Sequence, residues 1–225
     1  MCTCAILFVK EPQPGRVKTR LQPHLSADEA AELYRAFVLD SAETLERSVA
    51  ESKVIAYAPV GAEAAIGELV GDNFGLIVQP ETDLGGRMDR LMRWSFEKGA
   101  QRTVIVGSDT PTLPAAYIDG ALEMLGERDI VLGPSMDGGY YLVGQKRADS
   151  ALFTGIEWST GAVLQQTLER LGNQSLGLLP PWYDVDTPLE AGFLKVHLEA
   201  LHRARCREGR HSREVVRKLI LPLPS

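Results

Sequence analysis

Short, wholly apolar runs alternate with longer amphipathic ones along this chain, and the two periods together predict an α/β sheet. Ala5–Val9, Val54–Ala58, Leu76–Val78, Val104–Val106, Asp129–Leu132 and Leu176–Leu179 are the predicted strands. Their near-continuous apolar character fits strands covered on both faces, as in a parallel sheet. Tyr140–Val143 adds another strand, joined to the one before it by the turn Asp137-Gly138-Gly139. Between them lie helices with clear start signals. Ser26-Ala27-Asp28-Glu29 and Thr187-Pro188-Leu189-Glu190 are capping boxes, the second with proline at the first helical position. The first opens a helix whose Ala30, Leu33, Tyr34, Phe37, Val38 and Leu45 share a face; the second opens one running to about Leu201. Further helices are expected from Asp83, from Pro114, after Thr160-Gly161 and, more weakly, over residues 62–70.

Composition narrows this picture. The 225 residues are 44% hydrophobic and 24% charged, enough to bury a sizeable core. No repeat or linker breaks the pattern, so one domain is expected, with a core over about residues 5–201 and a basic C-terminal tail over 202–225. The net charge of −6 argues against a nucleic-acid partner. Arg203–Lys218 runs against that balance, with six Arg and one Lys facing Glu208 and Glu214; a solvated basic tail is the expectation. No run reaches the roughly 18 apolar residues of a membrane span. Cys2, Cys4 and Cys206 form neither a CxxC pair nor a zinc pattern, which fits reduced thiols and a cytoplasmic location. Self-association is left open.

Candidate chemistry gathers at strand ends, where open α/β sheets bind ligands. Val104-Ile105-Val106-Gly107-Ser108-Asp109-Thr110-Pro111 puts a carboxylate, Asp109, just past one strand; it is either a ligand-facing acid or a turn-forming cap. The first strand runs into a loop that carries Lys10, Arg16, Lys18 and Arg20 around Pro12, Pro14 and Gly15. Lacking a Walker A or GxGxxG pattern, it would grip phosphate through exposed side chains; the alternative is a solvated basic loop. Gly85 and Gly86 open a helix N-terminus where backbone N–H groups could approach a ligand, with Arg87 beside them; a plain loop-to-helix junction is the alternative. Asp137 reaches the same edge if its turn faces that way. In Asp184-Val185-Asp186-Thr187-Pro188, alternation places two carboxylates on one side of an extended segment. Grouped with Asp109, such like charges call for a cation, and oxygen ligands suit Mg²⁺ or Mn²⁺.

Taken in order, F-V-K-E-P-Q-P-G-R-V-K-T-R-L, D-L-G-G-R-M, V-G-S-D-T-P, G-P-S-M-D-G-G-Y-Y-L-V-G, W-S-T and D-V-D-T-P resemble a bacterial family of glycosyltransferase A-like transferases, of the kind found beside radical-SAM/selenium-domain proteins. More distantly the chain is similar to 2-phospho-L-lactate guanylyltransferase and the molybdenum-cofactor nucleotidyltransferases. The resemblance implies a three-layer α/β/α domain with a mostly parallel sheet, the nucleotide-diphospho-sugar transferase (GT-A) fold. It implies a nucleotide or nucleotide-sugar donor and a small-molecule acceptor. Lys10, Gly15, Arg16, Lys18, Arg20, Gly85, Gly86 and Arg87 would bind the nucleotide; Asp109, Lys18 and Asp137 would be catalytic. Asp109, Asp184 and Asp186 would hold the metal, and Gly139, Ser159 and Thr160 would lie by the acceptor. The Asp-x-Asp common in glycosyltransferases is missing, since the fourth strand ends Gly107-Ser108-Asp109. Glycosyl transfer is the leading expectation; nucleotidyl transfer with pyrophosphate release, and a non-catalytic nucleotide-binding protein, are the alternatives.

Overall fold

The structure is a computed structural model that describes residues 2–22 and 24–222. Seven strands form one sheet in the order β3-β2-β1-β4-β6-β5-β7. They are β1 (Thr3–Lys10), β2 (Ser52–Ala58), β3 (Gly75–Val78), β4 (Arg102–Gly107), β5 (Ile130–Pro134), β6 (Tyr140–Gln145) and β7 (Leu176–Leu178). All neighbours pair in parallel except β6, which runs antiparallel between β4 and β5. The hairpin into β6 is set by its turn. Gly139 N–H donates to Asp137 Oδ1 (2.8 Å), and Gly138, at φ +90°, lies so close to the Gly161 carbonyl that a Cβ would collide with it. Because β6 begins where the parallel strands end, the Asp137 turn shares an edge with Asp109.

Strand residues alternate between two cores. Ala5, Leu7, Val9, Val104 and Val106 face one layer; Cys4, Ile6, Ile105, Leu132 and Val143 face the other. The first layer holds α1 (Ala27–Arg47), α2 (Glu63–Val70), α4 (Ala115–Met124), α6 (Pro188–Arg203) and α7 (Arg210–Val216); the second holds α3 (Leu84–Glu97) and α5 (Val163–Glu169). This is the three-layer α/β/α arrangement expected. Both capping boxes form, with Ser26 accepting from Glu29 N–H and Thr187 from Glu190 N–H.

The segment after Leu201 departs from a solvated tail. Its α7 packs on α1, and Val215, Val216, Leu219 and Leu221 are buried. Asp40, 2% exposed on α1, accepts from His211 N–H (2.9 Å), Ser212 N–H (2.9 Å) and Ser212 Oγ (2.5 Å). Glu43, one turn on, pairs with Arg210 and with His211 Nε2 (2.9 Å). A run of cations next to an acidic face reads as solvated only when the acidic face is not recognised as its partner.

Asp40→Ala leaves two backbone N–H groups and a hydroxyl without their acceptor, and should cost about 1–3 kcal/mol in urea unfolding. Cutting the chain after Leu201 uncovers the α1 surface and should lower the thermal midpoint further. A truncated chain that melts with the full one would show that α7 adds nothing to the fold.

Candidate active site

The loop between β1 and α1 is drawn inward by two apolar residues. Val17 (4% exposed) and Leu21 (0%) are part of the core beneath α1, and a short 3-10 turn covers Thr19–Leu21. Lys18, between them, takes a left-handed conformation (φ +48°) that turns its side chain in as well. Only 4% of that side chain is exposed, and its stem runs beside α1, with Nζ 5.8 Å from the Tyr34 ring centroid and 5.5 Å from that of Phe37. The ammonium forms ion pairs with Asp109 and, at 2.7 Å, with Asp186 Oδ1. Lys18 is therefore not the exposed phosphate hook expected from a basic loop. It is a buried cation held between two carboxylates.

The partners arrive from far apart in sequence. Asp109 follows β4. The segment carrying Asp184 and Asp186 is laid beside it by a backbone bond from Val185 N–H to Asp109 O (3.0 Å), and beside β5 by Trp182 N–H to Pro134 O (3.0 Å). Glu190 accepts from both Asp186 N–H and Thr187 N–H (2.7 Å each), so the α6 cap also fixes the Asp186 backbone. Asp184 turns the other way and accepts from Ser135 Oγ (3.1 Å).

Electrostatics divides these acids. Burial alone would lower the Lys18 pKa, but the charges of Asp109 and then Asp186 outweigh it and raise it well above the usual lysine range. Burial would likewise raise Asp186, yet the Lys18 ammonium, with Arg20 and Lys10 behind it, holds Asp186 below the usual carboxylate range. Among the described residues Asp184 has no such partner. Burial, then the charges of Asp137 and Asp186, push it up to about 6.

These groups line one cleft of about 730 Å³ at the carboxyl edge of the sheet. Lys10, Arg16, Lys18, Arg20, Arg87, Asp109, Asp137, Gly139, Ser159, Thr160, Asp184 and Asp186 all line it. Gly15, Gly85 and Gly86 do not. Gly15, at φ +76°, is a turn residue. Gly86 N–H is taken by the capping Asp83 Oδ1 (2.8 Å), and Gly85 makes room for Trp158, whose ring a Cβ would strike at 2.7 Å. The two glycines thus serve helix capping and packing rather than ligand approach. Gln79, Thr82, Ser135, Tyr140 and Trp158 line the cleft without having been singled out in the sequence. Gln79 is buried and bridges β1 and β2, donating to Val9 O (3.1 Å) and Ala56 O (2.8 Å), while its Oε1 accepts from Arg87 Nη1 (3.4 Å). A Gln directly after a strand was the available signal for it.

Among the described residues, three metal-ligating atoms come within 4.8 Å of one another only at Asp40, Glu43 and His211, outside the cleft. Those atoms are already committed to docking α7. In the cleft itself, Lys18 occupies the space between Asp109 and Asp186, so the three expected ligands do not form a closed protein cage.

Comparison with known proteins agrees with this reading of the fold. Residues 41–160 match a family described as "Uncharacterized protein conserved in bacteria (DUF2064)". The chain is 28% identical to 2-phospho-L-lactate guanylyltransferase of Methanothermobacter thermautotrophicus, covering 97% of this chain and 92% of the relative. A crystal structure of a candidate nucleotide-diphospho-sugar transferase from Desulfovibrio desulfuricans G20 superposes with a TM-score of 0.88 at 34% identity, covering 97% of this chain and 98% of the other. CMP:2-keto-3-deoxy-manno-octonic acid synthetase in complex with CTP shares the fold at TM-score 0.57 and 11% identity, over 91% of this chain and 100% of the other. The chain belongs to the bacterial DUF2064 family and is a transferase of the nucleotide-diphospho-sugar transferase fold.

Proposed function

We propose that this transferase is a nucleotidyltransferase, joining a nucleoside triphosphate to a small acceptor with release of pyrophosphate. The observation that carries this is the charge layout of the cleft. Lys10, Arg16, Lys18, Arg20 and Arg87 line it from the β1 loop and the start of α3. That many cations on one wall suit a triphosphate, whose negative charge grows on the leaving pyrophosphate as the bond to the α-phosphorus breaks. The similarity to a guanylyltransferase supports the same reading and points to GTP.

In this reading the acceptor oxygen attacks the α-phosphorus in line with the leaving group. Lys18 contributes a charge that its two carboxylates keep protonated at any working pH, already in place before the donor arrives. Arg16 and Arg20 are both exposed, and Arg20, whose pair with Asp186 is long at 3.9 Å, would turn with Arg16 onto the outer phosphates. Asp109 and Asp186 act through Lys18 by holding it.

The fold family implies a divalent cation, and the acid set fits one. Asp184 is half-buried, pressed by the charges of Asp137 and Asp186, and among the described residues has no cationic partner of its own. Asp184, with Asp186 near enough to act on its charge and Asp109 on the same cleft, would hold Mg²⁺ or Mn²⁺ together with oxygens of the donor phosphates. Bound there, the ion would neutralise phosphate charge as a Lewis acid. Glycosyl transfer is the second reading, favoured by the Desulfovibrio desulfuricans relative. With labelled donors, Mg²⁺ and a small-molecule cell extract, pyrophosphate release from a nucleoside triphosphate supports nucleotidyl transfer. Release of nucleoside diphosphate from a nucleotide-sugar would overturn it.

Lys18→Met should weaken GTP binding about ten- to a hundredfold by titration calorimetry. It should also destabilise the protein by about 1–3 kcal/mol, less than the ~3–5 typical of a fully buried pair because Asp109 and Asp186 are 46% and 35% exposed. Lys18→Arg should restore much of both. Unchanged affinity in Lys18→Met would remove this residue from the donor site.

Asp184 gives a pH signature. Its folded pKa of about 6 lies above its ordinary 3.8, so the folded protein favours the neutral acid. Stability contributed by this group is complete below pH 3.8 and is lost as the pH rises towards 6 and beyond. Asp184→Asn should therefore melt higher than wild type at pH 8 without metal, and equally at pH 3.5. With Mg²⁺ and GTP at pH 8 the order should reverse, because the variant forgoes the ligand's stabilisation. A variant that melts lower in both conditions would mark Asp184 as structural.

A further inference from the structure

We propose that the acceptor is an uncharged polyhydroxyl compound of the sugar or polyol class, and not a phosphate ester. The inference rests on the nucleotidyl reading, which places the donor triphosphate against the β1 loop. The cleft is segregated by sheet half. Every Lys and Arg that lines it comes from the end of β1, the loop after it or α3. From residues 135–184, the half built on β5, β6 and the segment after β7, the charged residues lining it are Asp137 and Asp184, with no Lys, Arg or His.

Asp137 and Asp184 thus both present carboxylates to this half of the cleft. A phosphorylated acceptor would bring at least one further negative charge to this wall. A metal ion held by Asp184 and the donor phosphates would meet the Asp184 charge and leave that of Asp137 facing the acceptor. The 2-phospho-L-lactate named for the Methanothermobacter relative carries a phosphate and a carboxylate, the wrong sign for this surface.

Hydroxyl groups suit it. Carboxylates accept from two or more sugar hydroxyls, and Ser159 borders the same half with a side-chain oxygen of its own, while Thr160 Oγ1 holds the loop by donating to Glu157 O (2.7 Å). Trp158, half-buried and packed edge-on against Tyr140 (ring centroids 6.4 Å apart), supplies an aromatic wall for the C–H face of a ring. Ser159 holds a left-handed backbone (φ +64°) that non-glycine residues seldom adopt, as site residues do when their neighbours over-determine them. In the step itself, the acceptor hydroxyl oxygen forms a bond to the α-phosphorus. The bond from that phosphorus to the bridging oxygen breaks, pyrophosphate leaves with the electron pair, and the hydroxyl proton is lost to water.

The test uses the full chain with Mg²⁺, GTP labelled at the α-phosphate, and a small-molecule cell extract separated by ion exchange into anionic, neutral and cationic fractions. Pyrophosphate release and transferred label should be about tenfold higher with the neutral fraction, and should survive treatment of that fraction with phosphatase. Activity confined to the anionic fraction and abolished by phosphatase would overturn the proposal, as would activity confined to the cationic one. A second arm needs no acceptor. Inorganic phosphate is titrated into protein saturated with Mg²⁺ and a GTP analogue whose α–β bridge is a methylene. Wild type should show no binding tighter than about 10 mM, and Asp137→Asn should bind at least several-fold better; a wild-type Kd below about 1 mM would overturn the proposal. If GTP binds yet no fraction yields pyrophosphate, nucleotidyl transfer fails and the phosphate titration decides the acceptor's charge alone.

Discussion

The Lys18 ammonium between Asp109 and Asp186 is the constraint on which the rest of the site depends. It joins three chain segments that share no local structure: the loop after β1, the end of β4 and the cap of α6. A lysine side chain removed from water is costly, and two carboxylates brought together are costly as well. Each cost is offset by the other group, so neither feature is stable without its counterpart. The pair is also surrounded by groups that are themselves fixed. Tyr34, which borders the lysine stem, accepts from Lys10 N–H (3.0 Å) and bonds Ser108 Oγ (2.8 Å), tying α1 to the ends of β1 and β4. A charge held this rigidly does not have to be organised when a ligand arrives, which is the property that electrostatic catalysis needs.

Much of the frame was legible because it rests on local rules. The apolar runs, both capping boxes and the carboxylate at the end of β4 follow from periodicity and helix-end chemistry. So does the pairing of Asp184 with Asp186 on one extended segment, although the structure then turns them to different partners, Ser135 and Lys18. What was not legible depends on tertiary partners. Lys18 reads as exposed because its neighbours Arg16, Thr19 and Arg20 are polar, and the burial of Val17 and Leu21 is decided by α1 packing over them. The spacing of those two apolar residues inside a basic loop is the one local trace of it.

The same reason explains the glycines and the tail. Gly85-Gly86 looks like a ligand cradle in sequence, since glycine is permissive wherever it occurs. Only the structure shows that the demand for a small residue at Gly85 comes from Trp158 and the Phe153 carbonyl, with Trp158 73 positions further along. The basic stretch after Leu201 looks solvated because its compensating acids, Asp40 and Glu43, are about 170 residues earlier on α1. Charge patterning within a window cannot reveal a partner outside it.

One consequence concerns how the acids share their cations. Lys18 pairs with one oxygen each of Asp109 and Asp186, and its charge holds Asp186 below the usual carboxylate range. Asp184 has no such bridge, and burial, then the charges of Asp137 and Asp186, raise its pKa. A divalent ion entering the cleft therefore gains most from Asp184, the one acid of the three whose charge no cation among the described residues meets. A cage of three free aspartates would bind such an ion tightly by itself. Two that are already bridged and one that is not make binding of the ion dependent on the donor's own oxygens. Under the proposed nucleotidyl reading the lysine bridge would do more than position a charge: by using up protein ligands, it would couple the metal to the nucleotide.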